Sequence, residues 1–121
     1  MYQINSGLFM KKTVLGELEE LVLLIVAASA EEVYGVPVME QLQIHTERSF
    51  TISAVHTTLY RLEEKGFLSS SIGGATAERG GRSKRLFVLT AEGGRVLQEI
   101  QHMRTRLWES IPEGKFQLLG L

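Results

Sequence analysis

The stretch from Thr51 to Thr90, TISAVHTTLYRLEEKGFLSSSIGGATAERGGRSKRLFVLT, constrains what this chain can fold into more than any other. Val55, Leu59 and Leu62 recur at i, i+4 and i+7, the stripe of a helix with one apolar side. Ser53 stands where an N-cap belongs, and Gly66 follows the last periodic residue as a C-terminal stop. On a wheel of about 100° per residue, Ser53, Thr57, Tyr60 and Arg61 lie opposite the stripe, with Ala54 and His56 beside them. A face of small, hydroxyl-bearing and cationic groups suits a DNA major groove, where such groups meet phosphates and base edges.

The segment after this helix supplies a second surface for DNA. Phe67, Leu68 and Ile72 read as a short strand, and Leu86 to Leu89 as its return. The loop between them concentrates Arg79, Gly80, Gly81, Arg82, Lys84 and Arg85. Glycines let backbone amides approach a phosphate closely, and the cations supply charge. A helix followed at once by a basic β-hairpin predicts a winged helix-turn-helix.

The net charge of −1 argues against a nucleic-acid binder only until its distribution is read. Between Thr13 and Glu47 stand seven Glu and no Lys or Arg; between Thr51 and Thr90, six basic residues outnumber three Glu. Charge segregated in this way is an electrostatic footprint that the total conceals. A length of 121 residues suits one domain with an added helix, and 44% hydrophobic with 22% charged residues suits a globular protein. There is no cysteine, which excludes disulfides and thiolate metal sites and fits a reducing cytoplasm. The longest apolar run, Leu21 to Ala28, is too short for a membrane span.

The remaining elements frame that unit. Residues 1–12 lack a usable period and read as an arm, with translation starting at Met1 or Met10. Thr13 is placed to cap a first helix running to about Ala30. Its apolar face is so wide (Leu15, Leu18, Leu21, Val22, Ile25 and Ala28, with Leu23, Leu24 and Val26) that the helix should be central. Glu31 to Tyr34 read as a turn, and Gly35 opens a second helix with Pro37 in its first turn. After the hairpin, Thr90 caps a last helix in which Val96, Ile100, Met103 and Leu107 repeat at 4-3-4 spacing, a coiled-coil-like seam. That stripe needs either the first helix or a second subunit to cover it, and a two-fold dimer is the favoured reading. The expected architecture is mainly α with a small β-hairpin. It comprises a 1–12 arm, a 13–90 winged-helix DNA-binding domain, a 91–111 dimerisation helix and a 112–121 tail that begins at Pro112.

In three stretches the chain resembles the PadR-like family of transcriptional regulators: MKKTVLGELEELVLLIVA at 10–27, AVHTTLYRLEEKGFL at 54–68 and ERGGRSKRLFVLTAEG at 78–93. The resemblance implies a winged-helix homodimer, joined by its C-terminal helix, that binds operator DNA, usually as a repressor. Some members release DNA when a small molecule binds, which leaves room for a small hydrophobic or aromatic effector. The resemblance also implies that some short relatives bind flat aromatic compounds at the dimer interface with a tryptophan on the last helix, and Trp108 is the only Trp here.

Other classes have less to stand on. His45, His56 and His102 fall into no metal-ligand spacing, so neither a metal nor a cofactor is expected. Aspartate is absent, no Ser-His-acid arrangement can be placed, and Gly80-Gly81 is no phosphate-binding fingerprint, so the chain is not read as an enzyme. Two alternatives remain open: a winged-helix protein-interaction module without DNA binding, and a repressor blind to ligands. Trp108 is read as apolar packing ahead of a ligand platform.

Overall fold

The computed structural model describes residues 15–73 and 84–121. Its elements are α1 (Glu17–Ala28), α2 (Gly35–Thr46), α3 (Ile52–Glu64), β1 (Leu68–Gly73), β2 (Lys84–Leu89), α4 (Ala91–Glu109) and a single-turn α5 (Lys115–Leu118). The expected mainly helical chain with one hairpin is present. Thr13, proposed as the first cap, lies outside the described residues.

Helix α1 begins instead at Gly16, whose N–H donates to Glu19 Oε1 at 2.9 Å. Three acids, Glu17, Glu19 and Glu20, occupy its first turn, where the helix dipole favours negative charge. Each is held by a cation from another element. Arg48 beyond α2 reaches Glu17 at 3.5 Å, Lys65 after α3 reaches Glu19 at 3.0 Å, and Arg104 on α4 reaches Glu20 at 2.8 Å. Burial pushes the Glu19 carboxyl upward, but the Gly16 N–H, the Lys65 ammonium and the Arg61 charge outweigh it and hold the group below its ordinary value. The hydrogen bond from Arg104 to Glu20, with the carboxylate charge, raises the arginine above its ordinary value. The acidic half of the sequence is therefore partly an internal tie between helices.

The core is one cluster. Val22, Leu23 and Val26 of α1 meet Val38 and Leu42 of α2, Val55, Leu59 and Leu62 of α3, and Phe67, Leu68 and Phe87 of the hairpin. Helix α1 is central as expected but not enclosed all round: it ends at Ala28 rather than Ala30, and Leu24 is 45% exposed.

Val96 and Ile100, expected on a seam between subunits, are 0% and 7% exposed and close the same cluster from α4. The physical reason is that α4 packs back on α1, the option the spacing alone left open. An interface built from these two residues would have no surface to offer. Of the 4-3-4 stripe, Met103 is half-buried and Leu107 is 62% exposed.

Strands β1 and β2 pair antiparallel with Leu68 opposite Leu89 and Gly73 opposite Lys84; Phe67 lies just before the first strand rather than in it. The segment read as a plain turn before α2 also carries strand character. Val33 exchanges both backbone hydrogen bonds with Phe87, at 3.1 and 2.7 Å, so β2 is held at this position along both edges. Gly66, with φ of 86°, ends α3 as expected, and the Phe67 N–H closes back on the Leu62 carbonyl at 2.9 Å.

Thr90 caps α4 by accepting from the Gly93 N–H at 3.0 Å while its hydroxyl donates to the Gly66 carbonyl at 2.7 Å. Gly93 is buried against the Phe67 backbone, so close that a Cβ there would run into the Phe67 carbonyl oxygen. Gly93 thus marks a close crossing of α4 over the backbone at Phe67. No described helix is long and apolar enough to cross a membrane.

Candidate nucleic-acid interface

The approach to α3 fixes which side chains its outer face can show. Glu47 ends α2 in the left-handed region, φ 58°, which turns the chain sharply toward α3. Thr51, not Ser53, is the N-cap: its Oγ1 accepts from the Ala54 N–H at 3.0 Å. Moving the cap two residues upstream places Ser53 in the first turn, still exposed. Val55, Leu59 and Leu62 are fully buried, and Thr58, 5% exposed, donates back to the Ala54 carbonyl at 2.8 Å.

Ser53, His56, Thr57, Tyr60 and Arg61 are all exposed, whereas Ala54 is half-buried. His56 is held on one side by Gly35, where a Cβ would come within 2.6 Å of the imidazole Cδ2. On its other side the Tyr60 ring stands at 6.4 Å. Glu64, also exposed, falls on the same face one turn beyond Tyr60. A carboxylate there repels phosphate, so the part of the face before it, from Ser53 to Arg61, is the part fit to approach DNA. Arg61 makes no ion pair with Glu64 among the described residues; its charge acts instead on Glu19, toward α1.

The hairpin brings two of the expected wing cations to the described surface, and the protein grips both. Arg85 donates from Nη1 to Ser70 Oγ at 2.9 Å, and Ser70 in turn donates to Glu63 Oε2 at 2.6 Å. The Arg85 guanidinium also stands 5.8 Å from the centroid of Tyr60, whose ring packs edge-on against Phe87 at 5.9 Å. Lys84 Nζ sits 4.1 Å above the ring of Tyr34, the N-cap residue of α2. Both cations remain exposed, and among the described residues Arg85 uses one of its five N–H donors in a hydrogen bond, to Ser70. Arg79, Gly80, Gly81 and Arg82, the other wing residues expected to contact DNA, lie outside the described residues.

Sequence reasoning therefore missed the residues that aim the cations: Tyr34, Glu63 and Ser70. None carried a motif, because each acts across strands or helices. The true cap of α3 did leave a signal. Phe50 precedes Thr51 and Val55 follows at the fourth helical position, the spacing of a hydrophobic staple. With Ser53 as cap the corresponding pair would be Ile52 and Thr57, which is no staple. Among the described residues, no group of three His, Asp or Glu is placed to hold a metal ion.

The family model described as "Transcriptional regulator PadR-like family" matches residues 22–99, a span running from α1 through the hairpin into α4. The chain belongs to the PadR-like family. Its members are transcriptional regulators, which makes a DNA-binding regulator the plain reading of the fold, and the winged helix-turn-helix is the family's fold. The fold is similar to the X-ray structure of a PadR-like transcription factor from "bacteroid fragilis", with a TM-score of 0.67 and 22% identity over 88% of this chain and 95% of that one. It is also similar to a PadR family transcriptional regulator from Eggerthella lenta, with a TM-score of 0.62 and 22% identity over 96% of this chain and 91% of that one. A further likeness is the complex structure of hsRosR-S4, with a TM-score of 0.67 and 15% identity over 90% and 87% of the two chains. No curated protein matches.

Proposed function

We propose that this PadR-like protein is a cytoplasmic homodimeric repressor that lays the outer face of α3, from Ser53 to Arg61, into the major groove of an operator and sets its wing on the flanking backbone. The observation that carries the reading is the outer face of α3. Ser53, His56, Thr57, Tyr60 and Arg61 are exposed together, with no acid among them before Glu64. Lys84 and Arg85 stand at the root of the neighbouring wing. In this reading Ala54 supports the face from its half-buried position, and Arg79, Gly80, Gly81 and Arg82 extend the wing contact.

Leu107 and Met103 on α4 contribute to holding two such readers about 34–36 Å apart, one turn of DNA. Trp108, 66% exposed, is the residue through which a flat aromatic effector would relieve repression. The test is fluorescence anisotropy of labelled DNA from immediately upstream of the coding region. It is titrated with protein at several salt concentrations against unlabelled random DNA. Binding that resists the competitor and weakens with salt is expected. Binding lost equally to any competitor rejects sequence-specific recognition, and none at low salt leaves the protein-interaction module standing.

A further inference from the structure

Beyond residue 99 the chain leaves the span matched by the family model, and its last residues build a feature of their own. Helix α4 ends at Glu109, and the chain reverses through Pro112 and Gly114, whose φ is 85°. It then forms α5, closed by Gly120 at φ 83° and by the Leu121 N–H donating to the Phe116 carbonyl at 2.9 Å. Phe116 packs on Trp108 with ring centroids 5.8 Å apart and planes tilted by 34°. The turn leaves its other apolar side chains in water: Leu118 is 87%, Leu119 66% and Leu121 83% exposed.

A complementary surface lies on the same helix. Between α1 and α4 runs a groove of about 420 Å³ lined by Leu24, Leu97, Gln98, Gln101, His102 and Thr105. None of these carries a fixed charge, and the walls are mostly apolar. Leu97, Gln101, Thr105 and Trp108 share one face of α4, so the groove leads directly to the tryptophan.

We propose that the segment Phe116–Leu121 of one subunit seats in the α1–α4 groove of a second copy, the two subunits exchanging tails about a two-fold axis. The inference rests on the dimer reading above and gives it a specific contact. The tail does not fill its own groove: its folded turn packs on Trp108, one helical turn past the Thr105 end, and the Leu97 end lies roughly 16 Å further back along α4 at 1.5 Å per residue. A two-fold axis crossing α4 near His102 sets Trp108 of one helix beside Leu97 of the other, since the two positions lie about equally far from that point. Each tail then begins where the partner's groove opens. The area is sufficient. Leu24, Leu107, Trp108, Phe116, Leu118, Leu119 and Leu121 leave roughly 800 Å² of side chain uncovered, taking such side chains at about 150–250 Å² when fully exposed. Brought together across the two-fold axis, that area matches the roughly 800 Å² per partner of a stable interface.

Because the chain has no cysteine, a designed pair reports the contact cleanly. Leu24→Cys and Leu119→Cys are combined in the full chain, oxidised mildly and run on a non-reducing gel, with both single variants alongside. A covalent dimer from the double variant, absent from either single one, is expected. Sedimentation should show in parallel that deleting residues 113–121 weakens dimerisation at least 100-fold with the helical circular dichroism of the domain retained. A fast-running covalent monomer would mean that the tail docks in its own groove, and the proposal fails. So it does if no cross-link forms, or if the deletion leaves dimerisation unchanged, while the full chain sediments as a dimer; in those cases the dimer reading survives. A full chain that sediments as a monomer overturns both.

Discussion

Gly93 and Gly94 are adjacent, chemically identical and both inside the first turns of α4, yet replacing each by alanine should shift stability in opposite directions. Intrinsic helix preference favours either change by up to about 1 kcal/mol. At Gly94 the new Cβ would meet only Leu89 Cδ2 at 3.8 Å, an ordinary contact, so the gain is kept. At Gly93 it would enter the carbonyl oxygen of Phe67 and stand 2.8 Å from Leu89 Cδ1. That carbonyl cannot swing aside freely, since it accepts the Thr90 N–H at 3.1 Å. Overpacking against fixed atoms costs about 1–3 kcal/mol or more, so Gly93→Ala should lose roughly 2 kcal/mol net. The two variants are then separated by about 3 kcal/mol. With an m-value near ~1.5 kcal/mol/M, their urea midpoints differ by roughly 2 M. Protein concentration must be held fixed, because the proposed association would add to apparent stability. Equal shifts for the two variants, in either direction, would refute the close crossing of α4 over Phe67.

Four further outcomes are expected. Glu47→Gly should stabilise the protein by about 0.5–1 kcal/mol in urea unfolding, since glycine avoids the ~1–2 kcal/mol cost of a left-handed L-residue at the entropic loss of its own freedom; a loss would show that the Glu47 side chain supports the turn. Glu19 has a folded pKa below its ordinary 4.5, so the unfolded chain takes up the proton first and the group's contribution fades as pH falls through and below that value. The stability advantage of the wild type over Glu19→Gln should shrink correspondingly between pH 6 and acid conditions, and a constant difference would reject the pairing. Ser70→Ala, which unlinks Arg85 from Glu63, should cost about 1 kcal/mol by urea unfolding, and no loss would mean that the chain of bonds is not formed in solution. Arg82→Ala should weaken binding to all DNA sequences alike and flatten the plot of log K against log salt by about one unit for each phosphate no longer neutralised; an unchanged slope counts against a phosphate contact at the wing.

The fold was legible where one strand of chain carries its own pattern. The 3.6-residue spacing of Val55, Leu59 and Leu62 located α3, Gly66 ended it, and Thr90 opened α4. What could not be read depends on partners distant in sequence. The pairing of Val33 with Phe87 joins residues 54 apart through backbone atoms alone, which leave no compositional mark. The burial of Val96 and Ile100 comes from the side of α4 that meets α1, and a 4-3-4 repeat is equally compatible with a neighbour in the same chain or in another. In the candidate site, residue types announced the cations but not their orientation, because Tyr34, Ser70 and Glu63 converge on them from three separate elements.

The three acids in the first turn of α1 have a consequence for how ionic strength acts on this molecule. Arg48, Lys65 and Arg104 are engaged with them, and each is a positive charge that the sequence total offers to DNA but the folded subunit keeps at home. Fewer counterions are therefore displaced on complex formation than a census of lysine and arginine suggests. Added salt also screens the ties through which α4 and the end of α3 grip one turn of α1. In the proposed DNA-bound form a single solution variable would thus act twice, on the contacts with phosphate and on the ties among α1, α4 and the end of α3.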